Sequence, residues 1–206
     1  MRPQLAALSL VAALGLVACA GSPAPPMRYY QLSIEPPSGE AVAPPARTAN
    51  MAGESEVWQL MSPVRLPEYL DRDALWLAVG PHTLQPLEGH RWAEPLHTTI
   101  PRTLAHDLGV LRGADRVWAG SPPGGLVVTR QLRLEILEFA PVDAGRSVHL
   151  RARWTLADPN ATGQVQLGEA EIDVPSSSAA PAQLVEAHRL ALWRLAQRLA
   201  QRPAAR

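Results

Sequence analysis

Three runs of alternating apolar and polar residues constrain this chain more than any other feature. Val127 to Phe139 puts Leu132, Leu134 and Ile136 on one side and Arg133 and Glu135 on the other. Val148 to Leu156 alternates Val148, Leu150, Ala152 and Trp154. Gln164 to Val174 alternates Val165 and Leu167, then Ile172 and Val174. A period of two over this length marks strands with one face in a core and one in water. Asp143-Ala144-Gly145-Arg146 and Asp158-Pro159-Asn160 separate the runs and carry turn chemistry. The expectation is an antiparallel meander.

Two helices are expected to cover its apolar face. Glu94 to Leu111 carries Leu96, Ile100, Leu104, Leu108 and Leu111 at helical spacing. Pro95 suits the first helical position. Pro101 removes a hydrogen bond to the His97 carbonyl, which predicts a kink or a start near Pro101. Pro181 opens a second helix with Leu184, Ala187, Ala191, Leu195 and Leu199 as its stripe. Arg194, Arg198 and Arg202 share another line of that helix. They read either as a solvated face or as a contact for phospholipid headgroups, at the end where the helix dipole favours cations. Further strands are expected at Arg28 to Ile34, Val57 to Leu66 and Leu75 to Val79, with a weaker extended segment at Leu84 to Leu87. Pro63 places a bulge or an edge in the second of these. Ser121-Pro122-Pro123-Gly124 is a turn. The fold class is therefore α/β: a mixed, largely antiparallel sheet with two main helices packed on it.

The N-terminus reads as an export signal. Arg2 precedes the uncharged apolar run Leu5 to Val17, too short to cross a hydrocarbon core, which needs roughly 20 residues. Leu16-Val17-Ala18-Cys19 has the form of a bacterial lipobox, and Cys19 is the chain's one cysteine. Cleavage between Ala18 and Cys19 and lipidation of Cys19 are expected. One acyl chain binds a bilayer only marginally, at about 0.8 kcal/mol per buried CH₂, so the two or three chains of that pathway make a stable anchor. With Cys19 acylated, no thiol remains for catalysis or metal binding. Ala20 is not the Asp that retains enterobacterial lipoproteins in the inner membrane, which points to the outer membrane. Residues 1–18 are then signal peptide, 19–27 lipidated cysteine and tether, and 28–206 one domain. Residues 35–55, with Pro36-Pro37 and Pro44-Pro45, read as a mobile loop.

No catalytic constellation emerges. The chain has 19 acidic and 19 basic residues, so it lacks a global nucleic-acid footprint. All the basic residues are Arg, which reads as codon bias. The six histidines include no His-Glu-x-x-His spacing, and Gly-x-Ser-x-Gly is absent. Glu135 and Glu138 stand at odd spacing on a strand and are expected on opposite faces. No metal or cofactor is expected. Two segments flanking the first helix stand out: Leu66-Pro67-Glu68-Tyr69-Leu70-Asp71-Arg72 and His90-Arg91-Trp92-Ala93-Glu94-Pro95-Leu96. Tyr69, Asp71, Arg72, Arg91, Trp92 and Glu94 could rivet loops to the sheet through Arg–carboxylate pairs and stacking, with Arg91 and Glu94 as one such pair. They could also form a partner-binding surface.

Together with the lipobox and Arg28-Tyr29-Tyr30-Gln31-Leu32, these segments resemble the ABC-type transport auxiliary lipoprotein family, the PqiC-like proteins. The resemblance spans the mature chain in order. Departures are Asp73, where the family often has Pro, the proline-rich loop, and Pro101. The resemblance implies a fold like the anticodon-binding and TolB N-terminal domains. It also implies a non-catalytic, outer-membrane-anchored periplasmic component of an intermembrane lipid transport system. Its partners would be an MCE-domain protein and an ABC transporter complex, with a homo-oligomer possible and no nucleic acid involved. The alternative is an independent periplasmic lipid carrier, which would need an internal apolar pocket of roughly 300 Å³ or more. An envelope enzyme has no supporting motif.

Overall fold

The computed structural model describes residues 26–40, 56–159 and 165–201. The signal peptide, Ala18, Cys19, residues 20–25, residues 41–55 of the expected loop, Asn160 and Arg202 lie outside them. Among the described residues the chain forms β1 (Arg28–Tyr30), β2 (Trp58–Leu60), β3 (Ala74–Gly80), β4 (Thr83–Trp92), α1 (Leu96–Arg112) and β5 (Val117–Ala119). There follow β6 (Arg130–Val142), β7 (Ser147–Ala157), β8 (Val165–Pro175) and α2 (Pro181–Ala200). Short 3-10 turns cover Glu68–Asp71 and Asp143–Gly145.

The fold class is the expected one, with the strands divided between two sheets. The larger has the order β5-β2-β6-β7-β8, and β2 runs parallel to both neighbours. β6, β7 and β8 form the antiparallel meander. The smaller has the order β1-β4-β3, with β1 parallel to β4 and β3 antiparallel to it. No helix among the described residues is long and apolar enough to cross a membrane.

The apolar stripes explain the packing. Leu96, Ile100, Leu104 and Leu108 of α1 are buried, as are Leu184, Ala187, Ala191, Leu195 and Leu199 of α2. All of these except Leu184 meet the inward residues of the meander, Leu132, Leu134, Ile136, Val148, Leu150, Ala152, Ile172 and Val174, in one core. Val165 and Leu167 point the other way and are 58% and 76% exposed.

Two prolines resolve differently. α1 starts at Leu96 and runs through Pro101 as one helix, not from Pro101. One lost hydrogen bond is outweighed where Pro101 is buried on the core side. Pro63 follows β2, which is shorter than expected. Met61 N–H donates to the Leu132 carbonyl at 2.8 Å and Arg65 N–H to the Leu134 carbonyl at 3.2 Å, so four residues here face two on β6. That is a bulge beside an interior strand.

A second bulge corrects the reading of the carboxylates. The register of β6 against β7 shifts between Ile136 and Glu138, so Glu135 lies opposite Arg153 and Glu138 opposite Arg151. Arg151 and Arg153 are two apart on one strand, so Glu135 and Glu138 share a face rather than opposing each other.

Candidate functional site

The residues singled out from sequence gather where the small sheet meets α1, but not in the pairs expected. Arg91 is in β4, not in a loop, and its Nη1 donates to Asp73 Oδ1 at 2.6 Å. Glu94 receives Arg102 Nη2 at 2.6 Å. The expected Arg91–Glu94 rivet is thus replaced by two separate pairs. Asp73, which departs from the family pattern, supplies the nearer carboxylate. Both pairs are 38–60% exposed, and exposed pairs of this kind contribute about 0–1 kcal/mol. Asp71 hydrogen-bonds His97, and Arg72 reaches Glu68 at 3.8 Å on the open surface.

Tyr69 and Trp92 have structural positions. The Tyr69 hydroxyl accepts the Phe139 N–H at 3.3 Å, and burial raises its pKa above the usual phenol value. It joins the 3-10 turn to β6. Trp92 is 5% exposed and meets His188 edge-on at 5.4 Å. On the other side of His188 lies Phe139, at 4.7 Å.

Sequence reasoning missed the buried polar groups behind this cluster. Asp107 of α1 and Arg189 of α2 form a bidentate pair, with Nη1 to Oδ2 at 2.8 Å and Nη2 to Oδ1 at 2.6 Å. Burial pushes the Asp107 carboxyl up, and the hydrogen bonds and charge of Arg189 pull it back. Arg189 also donates to the carbonyls of Glu35 at 3.1 Å and Ile34 at 3.4 Å. His188 donates or accepts through Nδ1 at the Leu184 carbonyl, 2.7 Å away. A signal was present: Asp107 and His188 fall within the apolar stripes, beside Leu108 and four residues from Leu184.

The open face of the large sheet carries a different kind of site. Across β6, β7 and β8, acidic and basic residues stand in alternating columns. Arg153 Nε meets Glu135 at 2.7 Å, Arg151 meets Glu138 at 3.2 Å, and His149 Nδ1 meets Asp173 at 2.8 Å. Hydrogen bonding to Arg153 holds the Glu135 carboxyl below the usual carboxylate range. At the β2 end of this face a groove of about 640 Å³ opens, lined by Met61, Arg65, Arg133, Arg153, Trp154 and Leu167 among others. Trp154 lies against Gly168, where a Cβ would come within 2.3 Å of the indole. The charge of Arg65 acts on the Glu135 carboxyl beside it, and among the described residues Arg133 has no ion pair. The groove therefore joins apolar side chains to three guanidinium groups, Arg65, Arg133 and Arg153, and two carboxylates, Glu135 and Glu169, with Arg153 paired to Glu135. Such a surface suits an acidic partner segment with apolar side chains. It is large enough for the carrier reading, but it is open and charged rather than internal and apolar.

Known proteins bear on this arrangement. The family described as an ABC-type transport auxiliary lipoprotein component matches residues 30–200. Among curated proteins none matches the chain. A solved protein described only as uncharacterized superposes with a TM-score of 0.66 at 17% identity, covering 85% of this chain and 97% of its own. A protein of Xanthomonas campestris, described under DUF330, gives 0.63 at 16% identity, with 84% and 92% covered. At such identities the two structures speak for the fold alone.

Proposed function

Because the chain belongs to the ABC-type transport auxiliary lipoprotein family, we propose that it is the lipid-anchored adaptor of an intermembrane lipid transport system. Its partners are an MCE-domain protein and the ABC transporter complex behind it. In this reading the signal is cut after Ala18, Cys19 carries the lipid, and the domain faces the periplasm from the outer membrane. The family is described as a transport auxiliary component, and in this reading the chain acts by recognition.

The observation that carries the reading is the groove with Arg65 and Arg133 at its edge. It offers charge and apolar area together on the open face of a rigid sheet. The cluster around Tyr69, Asp71, Arg72, Arg91, Trp92 and Glu94 then serves mainly to fix the small sheet against α1. A partner with ring symmetry would be met by a symmetric homo-oligomer of this chain, since closed symmetry is the usual solution.

The test is co-purification of the full-length lipoprotein with the MCE protein of the same genome, and light scattering on the purified chain. The wild type is expected to retain the MCE protein, and Arg65→Glu with Arg133→Glu to lose it while remaining folded. A wild-type chain that retains no MCE protein, yet extracts phospholipid from vesicles unaided, would establish the carrier reading instead.

A further inference from the structure

Among the described residues, the small sheet keeps Tyr29 and Leu84 of its outer face in water. Cross-strand partners share a face, and β4 pairs Leu84 with Ala78 and Pro86 with Trp76. Arg91 is opposite Ala74 on one side and Tyr29 on the other. Ala74, Trp76 and Ala78 alternate along β3, so one face holds Tyr29, Arg91, Trp76, Pro86, Ala78 and Leu84. The residue between, Leu75, points inward and is 1% exposed. Tyr29 is 66% and Leu84 39% exposed, and Met27, in the same extended run as Tyr29, is 43% exposed. Arg91 is paired with Asp73, and exposed Glu88 follows Pro86 by two residues. The face is thus largely apolar, with exposed Arg28 at the start of β1 and exposed Arg72 just before β3.

We propose that this face rests on the bilayer into which the Cys19 lipid inserts, a proposal that depends on the lipid anchor itself. Chain length supplies the argument. Residues 19–25 separate the lipid from Pro26, and seven residues span at most about 25 Å even when fully extended. A domain of this size has a radius of gyration of about 16 Å and hence a diameter of about 40 Å. The tether is shorter than the domain is wide, so the side bearing β1 stays next to the membrane and the far side cannot reach it. β1 is the edge strand of the small sheet, and Tyr29 lies four residues past the tether. Tyrosine places an apolar ring in the headgroup region with a polar tip toward water, as exposed Tyr29 can. Arginines at the rim match anionic phosphate groups. The bilayer therefore covers apolar surface that the fold leaves in water, and fixes the orientation of the domain above it.

The chain makes the experiment direct. Once Cys19 is acylated no free thiol remains, so Leu84→Cys or Tyr29→Cys provides a single site for a nitroxide label. Full-length lipoprotein carrying each label is reconstituted into vesicles of phosphatidylethanolamine and phosphatidylglycerol, and its relaxation by oxygen and by a water-soluble nickel chelate is compared. Glu171→Cys, on the open face of the large sheet, is the reference. The proposal expects labels at 84 and 29 to favour oxygen severalfold more than the label at 171. Vesicle flotation separates the two ideas. Protein that floats but shows nickel access at 84 and 29 equal to that at 171 overturns the docked face alone. Protein that fails to float overturns the anchor, and the docked face with it.

Discussion

His188 is buried against two aromatic rings, and among the described residues no carboxylate pairs with it. Its pKa falls from 6.5 to about 4, mainly because burial penalises the charged ring, with the Leu184 carbonyl opposing. The unfolded chain therefore binds a proton that the folded chain refuses between about pH 6.5 and pH 4. Stability is full above that window and falls as the pH drops through it, by about 2 kcal/mol at pH 5. Urea midpoints measured at pH 7.5 and pH 5 should show this loss. His188→Phe keeps a ring between Trp92 and Phe139 and should remove most of the difference. An unchanged pH dependence in that variant would mean other groups carry it. The same residue shows how far sequence could reach. A stripe at helical spacing places position 188 inside, but only the fold brings Trp92 and Phe139 around it, from strands about 50 and 100 residues away. Arg91 makes the converse point. Its motif was visible, yet its partner is Asp73 and not Glu94, because cross-strand neighbours are set by register and not by nearness in the chain.

The meander was legible at the level of elements because period-two patterns survive in a sheet with one wet face. β5 was not, since Val117–Ala119 is too short to show a period. The bulge at Leu137 was also hidden, because one extra residue reverses the facing of all that follows without altering composition. β8 ends the large sheet, and its outward row Glu169, Glu171 and Asp173 is 62–69% exposed. Two copies pairing along this edge would bring carboxylates together, so the row guards against strand-to-strand association. Replacing all three by Thr should leave the fold intact and promote association beyond that of the wild type, read as a higher mass in light scattering. A triple variant that behaves as the wild type would show that the edge is protected by another means.

At the scale of the whole molecule, the proposed anchor rests on sequence alone and the surfaces on the structure. Cys19→Ser should prevent lipidation and leave the protein unprocessed or outside the membrane fraction. Ala20→Asp should move it toward inner-membrane density on a sucrose gradient in an enterobacterial host. Wild-type protein found mainly in the inner membrane would defeat the sorting argument. The grip of Arg189 on the Ile34 and Glu35 carbonyls has a mechanical consequence. With the lipid on Cys19 as proposed, tension from the anchor would enter at the start of β1. Pulled along its own axis, β1 loads its bonds to β4 in shear, together rather than one at a time. Just beyond, the guanidinium passes the residual load to Asp107 and so to both helices. The domain meets a pull on its lipid with its core, and the terminal strand does not have to bear the load by itself.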